Sequence, residues 1–341
     1  MGKCLISQFV IVMKELKCKM CGISKKHSAV FVDGLCDQCR DINSLSSFDI
    51  SKYLIELDKI IKKTESENKK IIVALSGGKD SCYTLLSLRK RYPKVKIIGV
   101  QFDNGFLSEN AIDNAKNICA KTNSEYVPVS VNESELNKLF KKAAILKNPF
   151  GKKSILRASD LCTICIGIVK QKVFSIALKN DSDIVAFGWT PGQSFNPIIC
   201  LSKSILEWNR NEFIKCLDKL SCKNIPDFVI DSDLLKKRSD SLFLIHPLSL
   251  LDYNEKKIVK NLKKSGWKNP KDTDSNSTNC LLNAFAISNH FEKYDLHPYA
   301  LEIHGLIRNK FMHKKEGLKK LSKKPSRSSI LLAKKRLGLD E

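Results

Sequence analysis

The chain has 341 residues, and its 59 Lys and Arg against 36 Asp and Glu give a formal net charge of +23. Hydrophobic residues make up 43% of the sequence, enough for a large buried core, which excludes an intrinsically disordered chain. With 15 Gly, 10 Pro and no long apolar run free of charge, the composition excludes a fibrous class and predicts no membrane span.

The cysteine content indicates a reducing compartment. The sequence has 13 cysteines, an odd number in a long, Lys-rich chain, whereas secreted disulfide frameworks are usually short and even in count. We therefore expect a cytoplasmic protein in which several cysteines bind metal. The start is either Met1 or Met13, because every feature that we recognise begins at Cys18.

Two C-x2-C pairs near the N-terminus are fourteen residues apart, with the hairpin-like stretch AVFVDGL between them. Each pair lies on a tight turn that aims two thiolates at one point, and four soft ligands at this spacing suit tetrahedral Zn²⁺. Two redox-active dithiols are the alternative. The sequence predicts a zinc ribbon over residues 1–45 that folds only with its metal. Its ligands would be Cys18, Cys21, Cys36 and Cys39.

A glycine-rich turn follows an amphipathic helix (50–63) and an apolar β-run (70–75), and a helical pattern (83–91) comes after it. The turn reads Ser-Gly-Gly-Lys-Asp-Ser over residues 76–81. Strand, glycine-rich turn and helix form the arrangement that holds phosphate, because the backbone can bend round an anion at the helix N-terminus. The spacing differs from that of a Walker A loop.

This run resembles the signature of the PP-loop ATP pyrophosphatases, which cleave ATP between the α and β phosphates. The resemblance covers roughly residues 70–192. It implies that Lys79 neutralises charge on the phosphates of ATP and that Asp80 binds Mg²⁺, directly or through water. The residues that would cradle the phosphates are Ser76, Gly77, Gly78, Lys79, Asp80 and Ser81.

Strands and helices alternate after the turn, which indicates an α/β fold with a parallel sheet and helices on both faces. The predicted elements are a strand (95–102), a helix (109–121), and strands over 125–131 and 183–188. Ligands of such sheets bind at the carboxyl ends of the strands, so Asp103 and Gly188 should lie beside the nucleotide. We expect a Rossmann-like domain over 46–200, or to about 250, and a mostly helical region with a basic tail over 201–341.

A second set of cysteines follows a different pattern. Cys162 and Cys165 open a helix that runs to Lys179, and Cys280 opens a later helical stretch. This order resembles PP-loop tRNA sulfurtransferases of the two-thiouridine type, which often carry an N-terminal zinc ribbon. The resemblance implies that these three cysteines hold a [4Fe-4S] cluster with one iron open for a hydrosulfide. A catalytic disulfide or persulfide pair, or cysteines that only pack, remain as alternatives.

The expected reaction follows from these features. The enzyme would adenylate a carbonyl oxygen of its substrate, release pyrophosphate and then transfer sulfur, with Cys162 and Cys165 as catalytic residues. The resemblance to tRNA sulfurtransferases implies a uridine or cytidine of tRNA as the acceptor. The basic tail agrees with an RNA partner, since twelve Lys and Arg but one acid lie between residues 308 and 336. Sulfide or a sulfur donor protein would supply the sulfur. A homodimer is left open.

Two features point to another substrate. The run GWTPGQ over 188–193 replaces the Gly-His-Asn-x-Asp-Asp of those sulfurtransferases, so a pair of carboxylates is missing. The tail from Lys293 to Leu321 is similar to the C-terminal helices of N-acetyl sugar amidotransferases, which use ammonia from a glutaminase partner. An ATP-dependent amidotransferase or ligase acting on a sugar or other small molecule therefore stays open, as does a non-enzymatic ATP- and RNA-binding module.

Overall fold

A computed structural model describes residues 16–27, 30–41, 49–194, 196–238, 241–251, 253–270, 273, 277 and 279–339. The two candidate starts, Met1 and Met13, lie outside the described residues. A six-stranded sheet forms the centre, with the strand order β5-β4-β3-β6-β8-β7. Its strands are β3 (Lys70–Ala74), β4 (Lys96–Phe102), β5 (Glu125–Val129), β6 (Ile184–Phe187), β7 (Ile198–Leu201) and β8 (Leu242–Ile245).

The sheet is parallel except at one edge, where β7 and β8 pair antiparallel. The inner strands are apolar throughout because helices cover both faces: every residue of β6 and residues 71–74 of β3 are buried. The predicted α/β fold is confirmed. The sequence pattern did not identify β7 and β8, which add two strands beyond β6.

Helices surround this sheet and form most of the C-terminal part. Those up to β6 are α2 (Ile50–Ser66), α3 (Lys79–Arg91), α4 (Glu109–Lys121), α5 (Glu133–Ile145), α6 (Lys152–Ile155) and α7 (Asp160–Lys179). Later come α8 (Lys203–Lys219), α9 (Ser232–Lys237), α10 (Glu255–Lys264), α11 (Asn283–Tyr294), α12 (Ala300–Arg308), α13 (Lys314–Ser322) and α14 (Arg327–Leu337). The predicted helix 109–121 matches α4 residue for residue.

The helix α7 is long and apolar enough to cross a membrane, by length and composition only. In the structure it packs against β3, β4 and β6 and against α5 and α11. Its Leu161, Ile164 and Ile168 are fully buried. The apolar character of α7 is therefore explained by its place in the core.

The order in which the chain adds strands to the sheet reverses at β3. It passes from β3 to β4 and β5 on one side and then returns to β6 on the other side of β3. In open α/β sheets, the crevice outside the carboxyl ends of the strands at such a switch point is where ligands bind. The loop that follows β3 is the predicted glycine-rich turn, so the topology places it at this crevice.

The N-terminal part is a small unit that we call the four-cysteine unit, residues 16–27 and 30–41. It contains an antiparallel hairpin, β1 (Phe31–Val32) and β2 (Leu35–Cys36), followed by α1 (Asp37–Arg40). The predicted hairpin between the two cysteine pairs is thus present. The cysteines share one apolar core with Ile303 and Ile307 of α12, so the unit is docked on the C-terminal helices.

Candidate active site and metal centres

The turn after β3 leads into the first turn of α3. The N-cap of α3 is Gly78, which offers no side-chain hydrogen bond to that first turn. Ser81 braces the turn from inside, since its Oγ accepts from Ser76 N at 3.1 Å and lies 3.0 Å from Ser76 Oγ. The N–H groups of a first helical turn have no partner within the helix, so this uncapped turn suits an anion.

Two glycines bring this turn close to its neighbours. Gly77 has φ of +77°, and a Cβ there would lie 1.8 Å from the backbone oxygen of Ala111. A Cβ at Gly188, just after β6, would lie 2.7 Å from the backbone N and Cα of Ser81. Gly188 therefore packs directly against the turn, at the carboxyl ends of β3 and β6.

We expect Gly77→Ala to destabilise the fold more than Gly151→Ala does. Both glycines have positive φ, but a Cβ at Gly151 would meet nothing within 4 Å. Both variants carry the strain of an alanine at positive φ, so the difference between their free energies of unfolding reports the clash with Ala111 alone. Overpacking of this kind typically costs about 1–3 kcal/mol. Urea unfolding of both variants measures this difference. Equal free energies of unfolding would contradict the close approach.

Lys79 and Asp80, the first residues of α3, form an ion pair in the crevice. Lys79 Nζ lies 2.6 Å from Asp80 Oδ2, and Tyr253 OH donates to Asp80 Oδ1 at 3.0 Å. Burial alone would lower the pKa of Lys79, but the carboxylates of Asp80 and Glu255 raise it above its ordinary value. The Lys79 side chain therefore stays charged in the crevice.

Glu302 of α12 brings another carboxylate to this crevice. Thr190, in the loop after β6, donates through Oγ1 to Glu302 Oε1 at 2.9 Å. Burial raises the pKa of Glu302 to about 7, and the charges of Asp80 and Glu255 add to the shift against the opposing charge of Lys79. The C-terminal helices thus supply acidic side chains beside a loop that lacks the expected carboxylate pair.

Sequence reasoning missed Tyr253, Glu255 and Glu302 as members of this site. The first two lie in no motif, and Glu302 was noted only as part of the tail that is similar to amidotransferases. They are more than 170 residues from Lys79 and Asp80 in the sequence, and tertiary packing brings them to the same crevice. A single sequence contains no signal for such a contact.

The segment after β4 meets the second set of cysteines. Asn104 is buried, and its Nδ2 lies 3.5 Å from Cys165 Sγ and 3.7 Å from Cys280 Sγ. Backbone pairing brings Cys280 there: Ser108 N donates to Asn279 O, and Leu281 N donates to Phe106 O. Cys280 thus lies near Cys165 although 115 residues separate them in the sequence.

The three thiols are half-buried and share one environment. Burial raises the pKa of Cys162 to about 11, and the nearby Cys280 adds to this shift. Burial likewise raises the pKa of Cys165 and of Cys280, while Asn104 lowers both. Thiols held neutral by burial need a cation to ionise, so bound metal would favour their thiolate forms.

Asp103 follows β4 as predicted, next to Asn104. Its backbone N–H donates to Val129 O at 2.8 Å, and its Oδ1 accepts from Gly105 N at 2.9 Å. The side chain of Asp103 is exposed. Asp103 therefore lies at the carboxyl edge of the sheet, where β4 and β5 end.

The first four cysteines form a compact site. The Sγ atoms of Cys18, Cys21, Cys36 and Cys39 all lie within 4.8 Å of one another, and all four are buried. In the part of the chain that the structure describes, this is the one group of Cys, His, Asp and Glu side chains able to hold a single ion. Among the described residues, Cys162, Cys165 and Cys280 form no such group.

Trp189 and His246 lie at the same edge, after β6 and β8. Their ring centres are 4.7 Å apart, and Lys170 Nζ lies 4.9 Å from the centre of the Trp189 ring. His246 is fully buried, and neither of its ring nitrogens has a hydrogen-bond partner among the described residues. Burial, with the charge of Lys170, lowers the pKa of His246 to about 4, so its ring is neutral at pH 7.

The known proteins named below share little sequence identity with this chain. No model of a known protein family matches the chain. The uncharacterized protein MJ1599 of Methanocaldococcus jannaschii is 22% identical over 329 residues, which cover 95% of this chain and 99% of that protein. The chain is thus related along nearly its whole length to a protein whose name states no function.

The solved structures to which the chain is similar include two enzymes. The U34-tRNA thiolase NcsA from Methanococcus maripaludis, with its [4Fe-4S] cluster, matches 96% of this chain and 100% of its own at 18% identity and a TM-score of 0.37. The NMN synthetase from Francisella tularensis matches 79% of this chain and 97% of its own at 11% identity and a TM-score of 0.30.

Proposed function

We propose that this chain is an ATP-using enzyme of the PP-loop type, which adenylates an acceptor oxygen and releases pyrophosphate. The observation that carries the proposal is the uncapped first turn of α3 at the switch point, with Lys79 and Asp80 at its start. Backbone N–H groups and one charged lysine converge there on the place where a triphosphate would lie. Asp80 is oriented by Tyr253 and is the residue that would bind Mg²⁺.

In the first step, a carbonyl oxygen of the acceptor attacks the α-phosphorus of ATP. The new P–O bond forms as the bond to the bridging oxygen breaks, and pyrophosphate leaves with that electron pair. Lys79 stabilises the negative charge that develops on the phosphate oxygens. Magnesium, when bound, would screen the same charge.

We assign the second step to sulfur transfer at Cys162, Cys165 and Cys280. Three thiolates beside one buried amide suit a [4Fe-4S] cluster, which when bound would supply sulfur at the sulfide level, taken from sulfide or a sulfur donor protein. Sulfide-level sulfur would form the new C–S bond at the adenylated carbon, and AMP would leave with the electron pair of the C–O bond that breaks. Asn104 would orient two of the thiolates.

We favour a base of tRNA as the acceptor, in a cytoplasmic protein. The basic helix α14 packs on α11, and Lys334 Nζ lies 5.7 Å from the ring centre of Phe285. Phe285 packs in the same core as Cys162, Cys165 and Cys280. A positively charged helix near the cysteines suits a polyanionic acceptor. The four-cysteine unit would hold Zn²⁺, because four buried thiolates around one point are its preferred ligands.

An amidotransferase is the second candidate. The observation that favours it is Glu302, which α12 brings into the ATP crevice from the tail that is similar to N-acetyl sugar amidotransferases. In that reaction, ammonia from a glutaminase partner would attack the adenylated carbon in place of hydrosulfide.

Metal content separates the two candidates. The experiment is an anaerobic purification with iron, sulfide and zinc counted per chain, together with exchange of labelled pyrophosphate into ATP. About four irons and one zinc would support sulfur transfer and make thiolated tRNA the next product to assay. Zinc without iron would favour the amidotransferase. A lack of any AMP- or pyrophosphate-forming activity with tRNA or amino sugars would contradict both.

Glu302 should give the ATP reaction a pH dependence near neutrality. Its pKa is raised to about 7, so the carboxyl is protonated below that pH and ionised above it. If the ionised form helps to hold magnesium beside Asp80, pyrophosphate exchange should rise as the pH increases through about 7. In Glu302→Gln this rise should disappear, while Glu292→Gln, an exposed residue of α11, should keep it. A Glu302→Gln profile that matches the wild type would exclude this role.

A further inference from the structure

The helix α12 contacts both the four-cysteine unit and the nucleotide crevice. Its Ile303 and Ile307 pack in one core with the four cysteines. The residue before Ile303 is Glu302, which accepts the hydrogen bond from Thr190 beside the crevice. Nine residues of helix therefore join two sites that the sequence places far apart.

On the side of the four-cysteine unit, the first C-x2-C turn rests on α12 and α13. His304 donates from Nδ1 to Cys21 O at 2.8 Å, and Lys314 Nζ donates to Lys19 O at 2.6 Å. A Cβ at Gly22 would lie 3.2 Å from a methyl carbon of Leu318 and 3.7 Å from His304. When the two thiolates bind a metal ion, the ion would fix the shape of this turn and with it these contacts.

Arg308, the last residue of α12, extends this contact to the thiols themselves. Its side chain is 5% exposed and lies beside Cys39, and its Nε and Nη2 have no hydrogen-bond partner among the described residues. A buried guanidinium is costly unless it is paired. Four thiolates around a divalent ion carry a net charge of about −2, so the loaded site would supply the missing partner.

On the nucleotide side, α12 is in backbone contact with the loop after β6. A Cβ at Gly192 would lie 2.3 Å from Glu302 O, and a Cβ at Gly305 would lie 3.0 Å from Gly192 O. Helix and loop thus fit together without room for a side chain. Any shift of α12 would displace Glu302 and this loop, whose first residue, Gly188, touches the turn at Ser81.

We propose that the metal of the four-cysteine unit holds α12 in place and thereby positions Glu302 and the 188–193 loop at the nucleotide crevice. Arg308 is the positioning residue that ties α12 to the metal thiolates. The four-cysteine unit is then part of the nucleotide site and not a separate docking module. This inference rests on the proposed function in one respect, namely that the Ser76–Ser81 turn binds ATP.

Hydrogen exchange on the full chain tests the inference without ATP. Zinc is removed with a chelator under anaerobic conditions, and iron is counted before and after. We expect amide exchange in α12 to become at least about tenfold faster, as for a locally opened helix, while α8 keeps its protection. Unchanged exchange in α12 would overturn the inference. Equal loss of protection in α8 would overturn it too, because the metal would then support the whole fold.

The variant Arg308→Met tests the positioning role, with Arg336→Met as the matched control, an exposed arginine of α14. We expect Arg308→Met to lose about 10- to 100-fold in zinc affinity by chelator competition, as residues behind metal ligands do, and to bind ATP more weakly. Arg308→Lys should restore part of both, because it keeps the charge. Zinc affinity equal to that of Arg336→Met would remove Arg308 from this role.

The two proposals fail differently. If the zinc-loaded wild type binds no ATP, the proposed function is wrong, and the exchange of α12 still decides whether metal holds the helix. If ATP binds equally well with and without zinc while α12 stays protected in both, the proposed function stands and the coupling is wrong.

Discussion

Lys79→Ala should lower ATP turnover by about 100- to 1000-fold, the range seen when one preorganised charge-stabilising group is removed from an active site. Lys79 is held beside Asp80 at 2.6 Å in the crevice, and nearby carboxylates keep it protonated. Its loss removes the cation from the position where charge develops on the phosphates. Exchange of labelled pyrophosphate into ATP measures the effect directly.

The control for this variant is Lys90→Ala, which removes an exposed lysine from the same helix. Lys90→Ala should leave turnover unchanged, and both variants should retain the zinc and iron of the wild type. Turnover of Lys79→Ala equal to that of the control would show that the Ser76–Ser81 turn is not the phosphate site.

Cys162→Ala should abolish formation of the sulfur-containing product while ATP still binds. We expect a loss of more than about 100-fold, since even residues behind metal ligands are worth 10- to 100-fold. Cys162 opens α7, near Cys280, and has no contact with the glycine-rich turn among its described hydrogen bonds. The measurements are thiolated nucleoside in tRNA, iron per chain, and ATP affinity.

Cys216→Ala, in α8, is the control because it removes a thiol that lies outside the site. This variant should keep both product and iron. Full product formation by Cys162→Ala would exclude the cluster, whatever its iron content. Loss of ATP binding together with product would instead indicate that Cys162 supports the nucleotide site.

Local patterns predicted most of the region from β3 to β6. The helix predicted over 109–121 has the observed bounds of α4, and in the structure Ser108 caps it by accepting from Ala111 N. Other bounds moved by a few residues: the predicted strand 125–131 ends at Val129, and the helix expected at Cys280 begins at Asn283. Ends of elements depend on caps and neighbours that periodicity does not contain.

The strands β7 and β8 were not predicted, although they extend the sheet beyond β6. Each has four residues, and the register that pairs β8 with β6 is set across more than 50 residues of intervening chain. Short apolar runs of this length fit a strand or a buried helix segment equally well. Only the sheet on which these two segments pack shows that they are strands.

By itself, the sequence determined the chemistry of each local unit, because C-x2-C pairs, a glycine-rich turn after a strand and a capped helix act within a few residues. The compact four-cysteine site and the α/β fold follow from such short spacings. Only the tertiary structure decided what these units face. It placed Cys280 beside Asn104 and Glu302 beside the Lys79–Asp80 pair. It also set α12 between the four cysteines and the crevice, because burial of apolar helix faces brings together residues whose separation in sequence carries no spacing signal.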